Sequence, residues 1–156
     1  MRSLAAELPG VLGVDHVAVA VRHGDLETHV AAYALLGFTE IHREDVLGTD
    51  QVREVLLRIG DGPHLLQLLE PLSDASPVAR QMARNGGRGG LAHVALRVAD
   101  ARAAFDDLAA KGFAIIDAAP RPGSRGTTVF FVHPKSRGDV AFGYLLEVVE
   151  LPADNG

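Results

Sequence analysis

The sequence predicts an α+β protein built from two tandem βαβββ modules. Three observations support this class: two matching strand patterns, a capped helical pattern after each, and three further strand-like runs in each half. The first strands read V14-D-H-V-A-V-A-V21 and L91-A-H-V-A-L-R-V98. Such alternation, rich in β-branched residues, is typical of strands with a buried face. We expect curved, mostly antiparallel sheets around a shared cleft.

A helical pattern follows each first strand and ends at a Gly-Phe pair. The two patterns begin at Asp25 and Asp100, whose carboxylates suit the N-cap because they can accept N–H groups of the first helical turn. Gly37 and Gly112 end the patterns, which predicts a left-handed backbone at both glycines. The two halves are therefore predicted to share one fold.

Turn residues divide the rest of each half into strands. Gly and Pro in G60-D-G-P63 and in the segment from Pro120 to Gly126 indicate reversals. Between the halves, Ser76 and Pro77 predict the start of a short helix, and the glycines of N85-G-G-R-G-G90 predict a flexible hinge. The strands predicted after the helices are Phe38–Arg43, Val52–Ile59, His64–Leu69, Phe113–Asp117, Thr127–His133 and Tyr144–Val149.

These elements predict the organisation of the chain. The modules are expected at 14–75 and 91–151, joined by a linker helix and hinge at 76–90. Residues 1–13 and 152–156 are expected to form a loosely packed arm and tail.

Composition narrows the function. The 156 residues carry a formal net charge of −5, which argues against nucleic acid as a partner. Cysteine is absent, so disulfides and thiolate metal sites are excluded and a reducing, cytoplasmic compartment is expected. There is no run of about 18 apolar residues, so no membrane span is predicted.

Each half carries one His on its first strand and one oxygen-bearing side chain on its last. His93 follows His16 by 77 residues (93 − 16), and Glu147 follows Gln67 by 80 (147 − 67). A single strand His is more often a core residue than a ligand, and a buried carboxylate without a partner is unfavourable. Two equivalent pairs favour one shared cation. This N/O set suits a divalent ion such as Co, Mn, Ni, Fe or Zn.

Several stretches carry a resemblance to a known family: V14-D-H-V-A-V-A-V21, L68-L-E-P-L72, N85-G-G-R-G-G-L-A-H93, R121-P-G-S124 and F130-F-V-H-P-K-S136. With them the chain resembles the vicinal oxygen chelate (glyoxalase-like) superfamily and, within it, the methylmalonyl-CoA epimerase family. The resemblance implies a metal cleft whose ligands match His16, Gln67, His93 and Glu147.

The resemblance also implies a reaction. The metal would chelate the carboxylate and thioester oxygens of a 2-substituted malonyl-CoA and stabilise the enolate formed when the α-proton leaves. Inversion needs acid/base groups on both faces of that enolate, and Glu147 matches one of them. The H-P-K-S run implies that Lys135 and Ser136 bind substrate, whereas Arg121, Arg125 and Arg137 are expected to be solvated. A homodimer is also implied.

The sequence departs from the family at the second acid/base group, a Glu in a Glu-Gln-Gly segment. The corresponding stretch is V46-L-G-T-D-Q-V-R-E-V55, which places either Asp50 or Thr49 there, depending on the alignment. The segment S136-R-G-D-V-A-F-G-Y144 is also longer than the usual link into the last strand.

Three functions remain open at this point. The first is a metal-dependent epimerase with Glu147 and Asp50 as catalytic groups. The second is another metal-dependent enzyme of the superfamily, an isomerase, lyase or dioxygenase, although a dioxygenase normally uses three protein ligands. The third is a non-catalytic module that binds a small molecule without metal.

Overall fold

The structure is a computed structural model, and it describes residues 7–153. These residues form two compact units, which we call the His16 unit (His16–His93) and the Glu147 unit (residues 7–15 and 94–153). The predicted modules have other boundaries, and those boundaries stay a prediction. The elements in chain order are β1 (Val11–Ala20), α1 (Leu26–Leu35), β2 (Phe38–Val46), β3 (Val52–Ile59), β4 (Leu65–Pro71), α2 (Pro77–Arg84), β5 (Gly90–Val98), α3 (Ala101–Ala110), β6 (Arg121–Pro122), a 3₁₀ turn (Ser124–Gly126), β7 (Thr128–Val132) and β8 (Leu145–Glu150).

The His16 unit contains four strands in the order β2-β3-β4-β1. β2, β3 and β4 pair antiparallel, and β1 pairs parallel to β4. α1 contacts β2 and β4 on the face that buries Leu26, Val55 and Leu68. The other face buries Ala18 and Leu69 with Met82 of α2. This second face also carries the polar residues of the candidate site.

The Glu147 unit arranges its strands in the order β5-β8-β7-β6. α3 packs on β7 and β8 and covers a core that includes Leu108, Phe130 and Val148. A second, smaller apolar cluster contains Ala95 and Val149. Together, the elements confirm the predicted α+β class and two sets of four strands, with one helix between the first two strands of each set.

The helix ends agree with the sequence except at one cap. Gly37 and Gly112 have φ of 104° and 89°, so both adopt the predicted left-handed conformation. Ser76 caps α2 by accepting from the Val78 amide at 3.2 Å, and Asp100 caps α3 by accepting from Ala103 at 3.1 Å. Asp25 makes no side-chain cap hydrogen bond, so that part of the prediction is wrong. Its own backbone is helical, with φ −99° and ψ −1°, rather than the extended conformation usual at an N-cap.

The predicted strand Phe113–Asp117 does not form; within it only Ile115 makes an isolated bridge, to Val132. Three backbone hydrogen bonds still join Ala114 and Ile116 to residues 131–136, and the pairing ends at Asp117, whose side chain accepts from the Phe131 amide at 2.8 Å. The same carboxylate accepts from Arg121 at 2.9 Å. The short strand β6 forms instead, in the segment predicted to be only a loop.

Parts of the predicted arm and hinge pack closely against other residues of their units. β1 starts at Val11, three residues before the predicted strand, and Leu8 packs against the core of the Glu147 unit. Residues 1–6 of the arm and 154–156 of the tail lie outside the described residues. In the hinge, a Cβ at Gly89 would lie 2.2 Å from the Ala20 carbonyl oxygen, so close backbone approach requires glycine there. Among residues 7–153, no helix has the length and apolarity to cross a membrane.

Candidate metal and acid/base site

Strand pairing places His16 and Gln67 on one face of the His16 unit. β1 and β4 are parallel with Ala18 opposite Gln67, and residues two apart on a strand share a face. His16 therefore projects from the same side as Gln67, and Ala18 and Ala20 leave space beside it. Both polar side chains are buried. The predicted pair of ligand-type residues is thus brought together in this unit.

His93 completes a close pair with His16. Their Nε2 atoms lie 3.0 Å apart, and both side chains are buried. Two nitrogens bound to one ion at about 2.1 Å and at right angles would be about 3.0 Å apart, whereas a tetrahedral angle gives about 3.4 Å. The observed separation is close to both values, so the two nitrogens are placed to bind one ion. Both rings must then be neutral, because only the unprotonated nitrogen binds metal.

Gln67 presents one free acceptor. Its Nε2 donates to Glu54 Oε2 at 2.5 Å, while its Oε1 has no hydrogen-bond partner among the described residues. The Gln67 and Glu54 residues are only 4% and 3% exposed. A buried amide oxygen without a partner is costly, and a bound cation would remove that cost. The residues present therefore fit a divalent ion with N and O ligands.

Glu54 belongs to a second group of polar side chains on the same face. The β2–β3 register sets Glu54 opposite Glu44 and Leu56 opposite His42. The ligand-type atoms of His42, Glu44 and Glu54 all lie within 4.8 Å of one another, and His42 Nε2 is 2.9 Å from Glu44 Oε1. His42 lies within β2, and its side chain is 33% exposed.

The two candidates for the second acid/base group lie in the turn between β2 and β3. Thr49 is exposed and Asp50 is half-buried. The Asp50 carbonyl accepts from the Ser76 hydroxyl at 3.0 Å, and Gln51 has a left-handed φ of 46°. The cap of α2 therefore fixes the backbone of this turn.

Glu147 lies on β8 in the Glu147 unit, opposite Phe131 of β7. Val129 and Val149 are paired with each other two residues further along and share its face. Glu147, Val129 and Val149 are all buried. Glu147 thus shares its face of the sheet with two buried apolar residues.

The loop residues divide into those held by the protein and one that is exposed. Arg121 pairs with Asp117 at 2.9 Å, and Arg125 lies 3.4 Å from the buried Asp15, so both differ from the predicted solvated cations. Lys135 is exposed and makes no ion pair within residues 7–153. Ser136 is fully buried, and its hydroxyl accepts from the Phe142 amide at 3.0 Å.

The sequence reasoning missed Glu54, although a signal for it was present. A hairpin centred on the G60-D-G-P63 turn sets Leu56 opposite Gln67, which is the observed register. Glu54, two residues before Leu56, then falls on the Gln67 face by alternation. Working out the hairpin register before assigning site residues would have identified it.

Comparisons with known proteins identify the family of the chain. The family model described as Glyoxalase/Bleomycin resistance protein/Dioxygenase superfamily matches residues 15–131. Methylmalonyl-CoA epimerase of Dictyostelium discoideum, a mitochondrial protein, is 38% identical over 85 residues, which cover 54% of this chain and 48% of that protein. This chain thus matches about half of that relative's length.

Two solved structures resemble the chain over most of its length. The crystal structure of methylmalonyl-CoA epimerase from Mycobacterium tuberculosis has a TM-score of 0.82 and 30% identity, covering 96% of this chain and 95% of that one. A variant of the Streptomyces coelicolor methylmalonyl-CoA epimerase, in complex with 2-nitronate-propionyl-CoA, has a TM-score of 0.78 and 35% identity, covering 92% of this chain and 99% of that one. The chain belongs to the Glyoxalase/Bleomycin resistance protein/Dioxygenase superfamily, with methylmalonyl-CoA epimerases among its relatives.

Proposed function

We propose that this protein is a metal-dependent epimerase of methylmalonyl-CoA or a related 2-substituted malonyl-CoA. The observation that carries the proposal is the buried His16–His93 pair, 3.0 Å apart, beside a Gln67 oxygen without a protein partner among the described residues. Relatives with nearly full coverage are methylmalonyl-CoA epimerases, and one is in complex with an acyl-CoA analogue.

His16, Gln67, His93 and Glu147 are the ligands we propose for the metal. The internal repeat supports all four, and this N/O set suits a divalent ion such as Co, Mn, Ni, Fe or Zn. When bound, the ion supplies a Lewis acid for negative charge that develops on the substrate oxygens. Gln67 contributes a neutral oxygen, so the ligand set carries a single negative charge.

Two carboxylates on opposite faces of the substrate account for inversion. One removes the α-proton and the other returns a proton to the opposite face, and their roles exchange in the reverse reaction. We assign these roles to Glu147 and Asp50. Thr49 is exposed, and its hydroxyl is too weak a base near neutral pH, which favours Asp50.

We assign substrate binding to Lys135 and Ser136, with a direct role for Lys135 and an indirect role for Ser136. The exposed Lys135 ammonium can pair with a carboxylate or phosphate of the acyl-CoA. The Ser136 hydroxyl is already bonded to Phe142, so it acts by holding the loop that follows.

Proton exchange in D₂O tests the function. Methylmalonyl-CoA incubated with the Co²⁺-loaded protein should lose its α-proton signal by ¹H NMR, while chelator-treated protein should leave it. D50N should slow inversion by about 10²–10⁴-fold, and T49A should leave it unchanged. No exchange beside a competent epimerase would contradict the proposal, and a T49A defect equal to that of D50N would reassign the second group.

The assembly and compartment also belong to the proposal. A homodimer follows from the family resemblance, and a reducing cytoplasmic compartment from the absence of cysteine in the sequence. Sedimentation equilibrium of the purified protein would detect the dimer, and a monomer at micromolar concentration would exclude it.

A further inference from the structure

Gln67 differs from the other proposed ligands because its side chain ends in two unlike groups. Only the amide oxygen can bind a cation, since the NH₂ group has no available lone pair. A terminal rotation of 180° would exchange the two and place a donor where the metal binds. Some feature of the protein must therefore select one orientation before metal arrives.

We propose that Glu54 is a positioning residue that fixes the Gln67 amide so that Oε1 is available to the metal. This inference rests on the proposed metal site. An ionised carboxylate only accepts hydrogen bonds, so the Gln67 group that faces it at 2.5 Å must be the NH₂. The oxygen is then directed away from Glu54, and among residues 7–153 it has no hydrogen-bond partner.

The burial of both side chains strengthens the preference for this orientation of the Gln67 amide. Gln67 and Glu54 are 4% and 3% exposed, so water does not compete for the amide. The rotated amide would set its oxygen against the carboxylate, which cannot donate, and would lose the charge-assisted hydrogen bond. Carboxylates that bond to a ligand in this way also increase the ligand's electron density, and their loss typically weakens metal binding 10–100-fold.

Glu54 lies near further polar side chains on the neighbouring strand. It lies opposite Glu44, and the atoms of His42, Glu44 and Glu54 that could bind a metal are within 4.8 Å of one another. His42 bonds to Glu44 at 2.9 Å, so an imidazole stands beside the two carboxylates. This arrangement defines a rival explanation, in which Glu54 itself is a metal ligand in a second site with His42 and Glu44.

Metal titration of three variants separates these roles. Calorimetry with CoCl₂, together with the visible spectrum of bound Co²⁺, measures affinity and ligand geometry without substrate. E54L removes the acceptor and should weaken Co²⁺ binding by about 10–100-fold and alter the spectrum. E54Q keeps an oxygen that can accept from Gln67, but its NH₂ group can also donate to a rotated Gln67, so it should bind Co²⁺ more weakly than wild type and more tightly than E54L. E44Q is the matched control, and it should bind normally with one Co²⁺ per chain.

Other results of the Co²⁺ titrations would contradict the positioning role, support the rival site or exclude Gln67 as a ligand. Wild-type affinity in E54L, with circular dichroism showing a folded protein, would overturn the positioning role, as would a larger loss in E54Q than in E54L. Two Co²⁺ ions per wild-type chain, reduced to one by E44Q, would support the rival site instead. If Q67A leaves Co²⁺ affinity unchanged, Gln67 is not a ligand and the proposed metal site fails, independently of Glu54.

Discussion

The two repeats differ in the residue that neighbours the proposed metal ligand on the last strand. In the first, Gln67 of β4 lies opposite Leu56, and two residues before Leu56 stands Glu54. In the second, Glu147 of β8 lies opposite Phe131, and the corresponding residue is Val129. The Gln67 amide therefore has the Glu54 carboxylate as its neighbour, whereas the Glu147 carboxylate has Val129.

This difference follows from the ligands themselves. An amide needs an acceptor for its NH₂ group and a means of fixing which end faces the metal. A carboxylate has two equivalent oxygens and needs neither. A second carboxylate beside it would add like-charge repulsion in a buried place. The neighbour of each ligand is therefore predicted to be matched to it, and exchanging neighbours or ligands should be costly.

The largest effect on activity is expected when Glu147 of the second repeat is replaced by the amide that the first repeat carries at Gln67. E147Q removes the proposed base, so α-proton exchange of methylmalonyl-CoA should fall by about 10²–10⁴-fold. Co²⁺ binding should weaken but persist, because the Gln oxygen can still bind although Val129 offers no acceptor to orient it. NMR exchange rates and calorimetry measure the two effects separately. Exchange retained near the wild-type rate would remove Glu147 from catalysis.

The next effect concerns stability rather than activity. V129E places a carboxylate beside Glu147 in the apolar face that contains Ala95 and Val149, and it should cost about 3–5 kcal/mol. Part of this cost should be recovered in V129E/E147Q, which recreates the amide–carboxylate pair of the first repeat. Urea unfolding of the metal-free proteins gives both values. A double variant no more stable than V129E would show that the two neighbourhoods are not equivalent.

The four proposed ligands could be selected from the sequence because internal equivalence requires no knowledge of register. His16 with His93, and Gln67 with Glu147, can be matched from the order of strands alone. Glu54 could not be assigned that way, since its face depends on how β3 pairs with β4. At the predicted strand Phe113–Asp117 the backbone pairing stops at Asp117, whose side chain accepts from the Phe131 amide, and strand propensity does not describe such a contact.

A smaller effect is expected from the opposite exchange in the first repeat. Q67E sets two carboxylates against each other where a 2.5 Å hydrogen bond now lies, and the metal-free protein should lose about 1–3 kcal/mol at neutral pH. E54V in the same chain should restore most of it, with a coupling of about 1–3 kcal/mol. The loss in Q67E should shrink as pH falls, because protonating one carboxyl restores a donor. Additive effects of Q67E and E54V in urea unfolding would contradict direct contact between these side chains.

The smallest effect compares the two helix starts. Asp100 accepts from the Ala103 amide, so D100A should cost about 1 kcal/mol of unfolding free energy. Asp25 occupies the same place in the first repeat but makes no side-chain cap bond, so D25A should cost only a few tenths of a kcal/mol. Urea unfolding of the two variants measures the difference, and neither residue is assigned to metal or substrate binding. Equal costs would mean that Asp25 caps α1 in solution and that the repeats are more alike at their helices than at their ligands.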